Sequence, residues 1–354
     1  MTVDELYMRR CLQLAAQGIE GARPNPMVGA VIVAPADVTC GDKKLSYGDN
    51  FVTCRDNFVT RRDNFVTRRD NFVTCSDTGG RIIGEGYHVR YGEGHAEVNA
   101  FASVSAADEA LLPQSTMYVS LEPCAHYGKT PPCADLIVAK GVRRVVIGTE
   151  DPFAKVHGRG IEKLRAAGIE VTVGVLPDEC WWLNRRFFTY HEKQRPYIIL
   201  KWAQTANGFI DDGGRPLQIS NRQTQMLSHK LRAEEDAILV GHTTAEREQP
   251  RLDVRHWHGR NPARIVLTRQ RPLPMLIGDL YQQGIQSLIV EGGLQTHESF
   301  LEAGLWDEVR VETSTATVAG GTRAPQLPSG VQIYDRKIFG DNTVCCYRRK
   351  REEK

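Results

Sequence analysis

Apolar positions along the chain follow two spacings. Near the N-terminus Leu6, Met8, Cys11, Leu12 and Ala15 fall at helical intervals behind Thr2 and Glu5, a capping-box pair. The chain is therefore predicted to open with an amphipathic helix that Gly18 can end. A loop, Arg23-Pro24-Asn25-Pro26, leads into an apolar run over 28–33 of the kind a buried strand carries, and residues 81–87 are predicted to pair with it. Strands are then expected at 117–121, 142–148 and 169–175, with a helix at 160–167 closed by Gly168. This rhythm predicts an α/β sheet with helices on its faces. The mixed polar stretch 178–195 reads as a connector and puts a domain boundary near 194. The rhythm restarts with a strand at 197–202, a helix at 221–233 capped by Ser220, and strands at 237–241, 264–268 and 287–291. Gly292-Gly293 opens another helix, and a strand pair is expected at 308–312 and 343–347. Two domains follow, 1–194 and 195–354.

One segment breaks the pattern. Residues 48–75 repeat with period seven: GDNFVTC, RDNFVTR, RDNFVTR, RDNFVTC. Phe and Val are adjacent rather than at a and d spacing, which argues against a coiled coil. One Phe and one Val per unit bury too little for a stacked repeat. The segment 36–78 therefore reads as an insertion in a surface hairpin, and its arginines are partly offset by the aspartates between them.

Charge and cysteine usage narrow the function. Against 45 Lys+Arg stand 43 Asp+Glu, a net charge of +2, and no basic-aromatic stripe is present, so a nucleic-acid ligand is not expected. No apolar run approaches the ~18–20 residues of a spanning helix, so no membrane partner is expected. The N-terminus MTVDELYMRR lacks a signal-peptide core, and nine scattered cysteines make a poor disulfide framework. A cytoplasmic location follows, where clustered cysteines read better as metal ligands.

The chemistry concentrates in His95-Ala96-Glu97, Pro123-Cys124 and Cys133. One imidazole and two thiolates make a three-ligand zinc set whose fourth position is left for water, the pattern of a catalytic site. Positions i and i+2 do not share a helix face, so Glu97 is placed as a non-ligand that shuttles protons beside His95. Thr130-Pro131-Pro132-Cys133 reads as an N-cap and prolines leading into a helix, which would bias the Cys133 thiol toward thiolate. A structural zinc site would want a fourth ligand, for which His126 is available, but such a site needs no Glu97.

At these residues the chain resembles the bifunctional riboflavin-biosynthesis deaminase/reductase family. The segments ARPNPMVGAVIV (22–33), GEGHAEVNA (92–100), LEPCAHYGKTPPCADLI (121–137) and EDPFAKVHGRGI (150–161) carry the resemblance in the first half. YIILKWAQTANGFID (197–211), ILVGHTTAEREQPRLDVR (238–255) and LIVEGG (288–293) carry it in the second. The resemblance implies a cytidine-deaminase-like three-layer α/β/α domain followed by a dihydrofolate-reductase-like α/β domain. It implies zinc-dependent deamination of a diamino-ribosylamino-pyrimidinone 5′-phosphate, then NADPH-dependent reduction of the ribosyl group to ribityl. By the same resemblance Zn2+ is held by His95, Cys124 and Cys133, and Glu97 is catalytic. Asn25, His88, His126, Lys129 and Asp151 are expected to contact the pyrimidine substrate. In the reductase half Arg232, Leu252, Arg255 and Glu291 are expected on the substrate, and Ala203, Thr244, Glu248 and Gly293 on NADPH. A homo-oligomer is expected. The alternative is a deaminase whose second half is only a scaffold, because 268–278 is shorter than in the family and Asn207 replaces its usual Asp.

Overall fold

The computed structural model describes residues 1–36, 80–127, 131–153 and 157–349. The heptapeptide repeat, Lys129 and Thr130 lie outside the described residues. The chain forms two compact units: Met1–Ala22 with Met27–Leu183, and Arg23–Pro26 with Asn184–Lys354.

In the first unit, helix α1 (Val3–Ala15) carries the expected capping box, with Thr2 accepting from the Glu5 amide and Glu5 reaching back to Thr2. Strands β1 (Gly29–Pro35) and β2 (Gly80–Tyr87) pair antiparallel, as expected. Then come α2 (Ala96–Ala102), β3 (Thr116–Leu121), α3 (Cys133–Lys140), β4 (Arg144–Thr149), α4 (Arg159–Ala166), β5 (Glu170–Val173) and α5 (Pro177–Leu183). The sheet order is β2-β1-β3-β4-β5, with β3, β4 and β5 parallel. Alternate residues of β1 bury on opposite faces. Ala30, Ile32 and Ala34 meet Ala96, Ala100, Ile137 and Leu164, from α2, α3 and α4. Val31 and Val33 meet Tyr7, Met8, Cys11 and Cys180, from α1 and α5. That is the three-layer α/β/α arrangement, and it follows from strands that are apolar on both faces.

The second unit begins with α6 (Arg185–Lys193), β6 (Tyr197–Gln204), α7 (Arg222–Glu234), β7 (Ala237–Gly241), α8 (His242–Glu248) and β8 (Ala263–Leu267). It continues through α9 (Leu273–Gln282), β9 (Ser287–Val290), α10 (Leu294–Glu302), β10 (Glu308–Ser314), β11 (Val331–Phe339) and β12 (Asn342–Arg349). Its seven strands run β11-β12-β10-β6-β9-β7-β8. Strands β10, β6, β9, β7 and β8 are parallel, and β12 joins β10 antiparallel. Ile198, Leu200 and Val290 pack with Leu276, Leu280 and Phe300 of α9 and α10. Tyr197, Ile199 and Ile289 face the other way, toward Leu231 of α7 and Leu252.

Several expectations need correction. The stretch 178–195 is not an irregular connector but two helices, α5 and α6. The sequence reading puts the boundary near 194, after α6. That helix is tied to the second unit: Arg186 pairs with Glu235, Tyr190 donates to the Tyr281 carbonyl at 3.0 Å, and Lys193 reaches Asp307 at 3.3 Å. The cap of α7 is Asn221, whose side chain accepts from the Thr224 amide at 3.0 Å, while Ser220 donates to Glu312 at 2.8 Å. Helices α8 and α9 and strand β11 were not expected. Strand β11 lies at the sheet edge and leaves Ile333 and Ile338 exposed, so it has no apolar face to betray it. Asn207 closes a turn, its amide nitrogen donating to the Val318 carbonyl at 2.8 Å.

The β1–β2 ladder runs to Pro35 opposite Gly80, so the two ends of the insertion are neighbours. Closure entropy changes slowly with loop length. Replacing residues 37–79 by a Gly-Asn turn is expected to leave metal content and deamination intact. An insoluble or inactive product in a zinc and activity assay would show that the repeat supports the fold.

Candidate active site

The first site is built by the starts of two helices. His95 is the N-cap of α2, in extended conformation, and Glu97 lies in its first turn. Helix α2 approaches the sheet closely because β2 carries glycine there: a Cβ on Gly86 would stand 2.3 Å from the Ala100 amide nitrogen. Strand β3 ends at Leu121 and delivers Cys124. Cys133 is the first residue of α3, behind Pro132 at the N-cap position. That differs from the expected start at Thr130, because Pro132 is extended and only the following residue is helical.

The ligand atoms of His95, Cys124 and Cys133 all lie within 4.8 Å of one another. Nδ1 of His95 is 3.6 Å from the Cys124 sulfur and 3.3 Å from the Cys133 sulfur. A tetrahedral zinc with Zn–S of ~2.3 Å and Zn–N of ~2.0–2.1 Å would set neighbouring S and N atoms roughly 3.6 Å apart. The three residues therefore fit zinc in both donor chemistry and spacing. His126 is not part of this cluster; its ring lies edge-on to Phe153 and its buried Nδ1 has no hydrogen-bond partner.

The electrostatics favour thiolate. The Cys124 thiol is lowered to about 4, first by the hydrogen bond from Cys133 and then, against burial, by His95. Cys133 is pushed upward, first by that same neighbour, so the pair shares a proton that a divalent metal would displace. The Cys133 backbone N–H donates to the Cys124 sulfur at 3.3 Å. Glu97 is buried, and burial first, then the Cys124 charge, raises its carboxyl to about 7. A cation held by the three ligands acts in the opposite direction.

The expected substrate residues sit variously. His88 is buried beside the metal ligand, its ring 5.3 Å from that of His95, and burial lowers its basicity. Asp151 is buried at the end of β4, and its carboxyl is raised to about 7, chiefly by burial. Asn25 stands in the segment Arg23–Pro26, which groups with the second unit.

Glu122 was missed by the sequence reading. This buried carboxylate accepts from the backbone amides of Gly158 (3.0 Å), Gly160 (2.9 Å), Ile161 (3.3 Å) and Asp151 (3.3 Å). It caps α4 and ties Asp151 to the strand end that carries Cys124. The available signal was an acid placed immediately before Pro123-Cys124.

In the second unit, candidate residues collect at the C-terminal ends of the parallel strands. Glu291 follows β9 and accepts from Arg232 at 2.7 Å. One Glu291 oxygen and the Arg232 Nε are buried without partners, polar atoms that a ligand could satisfy. Arg255 is exposed and Leu252 is buried with a positive φ of 51°. Gly293 caps α10 without a side-chain cap, and a Cβ there would meet only Thr244, at 3.8 Å. Thr296 was also missed: it fills the space at Gly241 and Gly292, where a Cβ would lie 2.4 and 2.6 Å from its atoms. The free amides at Gly293, next to Thr244, fit the pyrophosphate of a dinucleotide. Glu248 shares the Thr244 face of α8 but is exposed at its far end. Ala203 lies on β6, opposite Glu312 of β10.

Two family descriptions match the chain. The cytidine and deoxycytidylate deaminase zinc-binding region matches residues 67–149, and the RibD C-terminal domain matches 196–277 and 272–339. The riboflavin biosynthesis protein RibD of Aquifex aeolicus is 32% identical, over 98% of this chain and 99% of that protein. The Thermotoga maritima diaminohydroxyphosphoribosylaminopyrimidine deaminase/5-amino-6-(5-phosphoribosylamino)uracil reductase superposes with a TM-score of 0.78 at 30% identity, covering 98% of this chain and 99% of that one. Acinetobacter baumannii RibD superposes with a TM-score of 0.77 at 25% identity, covering 99% of each chain. No helix among the described residues is long and apolar enough to cross a membrane.

Metal analysis of the purified protein is expected to find one zinc per chain, lost on Cys124→Ala. Glu122→Ala leaves four amides without their acceptor and is expected to lower unfolding free energy by about 3 kcal/mol, read by denaturant titration.

Proposed function

The chain belongs to the bifunctional riboflavin-biosynthesis deaminase/reductase family, and we propose that it performs the family's two steps through the residues just described. It is a deaminase joined to a reductase in riboflavin biosynthesis, acting on a small pyrimidine. The first step removes the 2-amino group of a diamino-ribosylamino-pyrimidinone 5′-phosphate by hydrolysis. The second reduces the ribosyl group to ribityl. The observation that carries the reading is the His95, Cys124, Cys133 cluster with buried Glu97 beside it.

His95, Cys124 and Cys133 hold the zinc. When bound, zinc supplies a Lewis acid that activates water at neutral pH. Glu97 takes a proton from that water and returns it to the ring nitrogen and the departing ammonia. Its burial suits the task, since a carboxyl poised near neutrality can both accept and donate. His88, kept neutral by burial, and Asp151, held through Glu122, are the proposed contacts to the pyrimidine, together with Asn25, His126 and Lys129. The thiol ligands suit a reducing, cytoplasmic compartment.

In the reductase half the nicotinamide cofactor is proposed to be NADPH, which supplies the hydride. The Gly293 amides and Thr244 hold its pyrophosphate, with Ala203 and Glu248 as further contacts. Arg232 and Arg255 bind the substrate phosphate, and Leu252 and Glu291 lie by the sugar. A scaffold role for this half is not favoured. The reductase description matches most of it, and the shortened 268–278 region still leaves every described strand of the sheet paired. A homo-oligomer is supported by the edge strand β11, where Ile333 and Ile338 are 51% and 69% exposed.

Glu97→Gln is expected to retain zinc while deamination falls by about 10²–10⁴-fold. Activity within a few-fold of wild type would remove Glu97 from the mechanism. Incubating the enzyme with the diamino substrate is expected to stop at the deaminated product, and adding NADPH to carry it to the ribityl product, both read by mass spectrometry. Failure of the second conversion with NADPH present would argue against the reductase reading.

A further inference from the structure

We infer that Asp253 is a resident competitor for the substrate phosphate and sets the affinity of the reductase site for its phosphorylated substrate. The inference rests on the reading that Arg232 and Arg255 hold that phosphate, and it deepens that reading.

Both arginines are already matched by acids of this chain. Nη2 of Arg232 donates to Glu291 at 2.7 Å, and Nη1 of Arg255 donates to the Asp253 carboxylate at 2.5 Å. The Asp253 carbonyl also accepts from Nη1 of Arg232 at 3.3 Å, so one residue engages both cations. The two ion pairs differ in how readily they open. The Arg232–Glu291 side chains are 13% and 10% exposed, and separating them would strand a buried charge. The Arg255–Asp253 side chains are 44% and 30% exposed, and such a pair opens at small cost. Asp253 also borders an open cavity of about 280 Å3 with Arg251, Leu252, Asn261, Pro262 and Arg264, which gives an anion access.

An arriving phosphate therefore displaces the Asp253 carboxylate from Arg255 rather than Glu291 from Arg232. The displaced carboxylate cannot go far. Leu252, immediately before it, is buried in the core with a φ of 51°, which pins the backbone there. Only rotation of the Asp253 side chain frees Arg255, and the carboxylate stays close to the incoming dianion. Competition and repulsion then act together to weaken substrate binding.

Asp253→Asn removes the charge and keeps the shape. It is expected to lower KM for the phosphorylated reductase substrate by about two- to fivefold, with kcat and KM for NADPH unchanged. Inhibition by ribose 5-phosphate is expected to tighten by the same factor, a readout that a purely structural role would not move. Asp253→Ser is expected to shift KM in the same direction. In an Arg255→Ala background, which itself raises KM, Asp253→Asn is expected to have no effect. An unchanged or raised KM in Asp253→Asn, with Arg255→Ala still raising it, would overturn the role of Asp253 and leave the phosphate reading standing. If Arg255→Ala leaves KM unchanged, the phosphate reading fails and the inference falls with it.

Discussion

A hydrogen bond from the Cys133 amide to the Cys124 sulfur, at 3.3 Å, joins a strand end to a helix start, and the deaminase half is organised around that junction. Sulfur ligands must be thiolates, and a thiolate away from water needs donors and a positive field. The first turn of a helix supplies both, through free amides and a dipole worth roughly 0.3–1 kcal/mol to a nearby anion. Helix α3 meets this need with Cys133 at its first position. Helix α2 brings His95 as its cap and Glu97 in its first turn. Three donors distant in sequence converge because both helices start on one face of the sheet, and the small residues of β2 let α2 lie close against it.

The neighbouring carboxylate, Glu122, extends the same logic from the metal to the substrate. Its two oxygens receive four amides, from the residues around the start of α4 and from Asp151. An ionised acceptor makes stronger hydrogen bonds than a neutral one. The strand end bearing Cys124 and the loop bearing Asp151 are thereby held as one body, so a residue proposed to read the pyrimidine keeps a fixed relation to the ligands. Without the carboxylate those amides would face a buried space with no acceptor.

The reductase half solves a different problem with a similar device. Its candidate residues lie at the C-terminal ends of parallel strands, where crossover connections leave a crevice. Thr296 of α10 packs against Gly241 and Gly292, at the ends of β7 and β9, so that the chain turns into α8 and α10 side by side. The open amides of Gly293 then face the place where Thr244 stands. The acids of this half, Glu291 and Asp253, hold the two arginines in position before any ligand arrives.

Much of this was legible in the chain. The His-x-Glu and Pro-Cys…Cys elements named the ligands and the proton carrier, because zinc chemistry needs those residue types whatever the fold. The strand runs of both sheets were legible because parallel strands buried on two faces are continuously apolar. Helix α1 was legible from its capping box. Where burial was one-sided or absent the signal failed. Strand β11 shows no apolar face because it is an edge, and α5 and α6 were taken for a connector because their charges outnumber their core contacts. The cap of α7 shifted from Ser220 to Asn221 because Glu312, far along the chain, takes the serine hydroxyl. Composition and spacing determined which chemistry the chain can carry. Only the tertiary structure decided that Glu122 would gather four amides, that Thr296 would fill the space at two glycines, and that Asp253 would occupy Arg255. Each of these depends on groups distant in sequence meeting at hydrogen-bond or van der Waals distance, which no local pattern encodes.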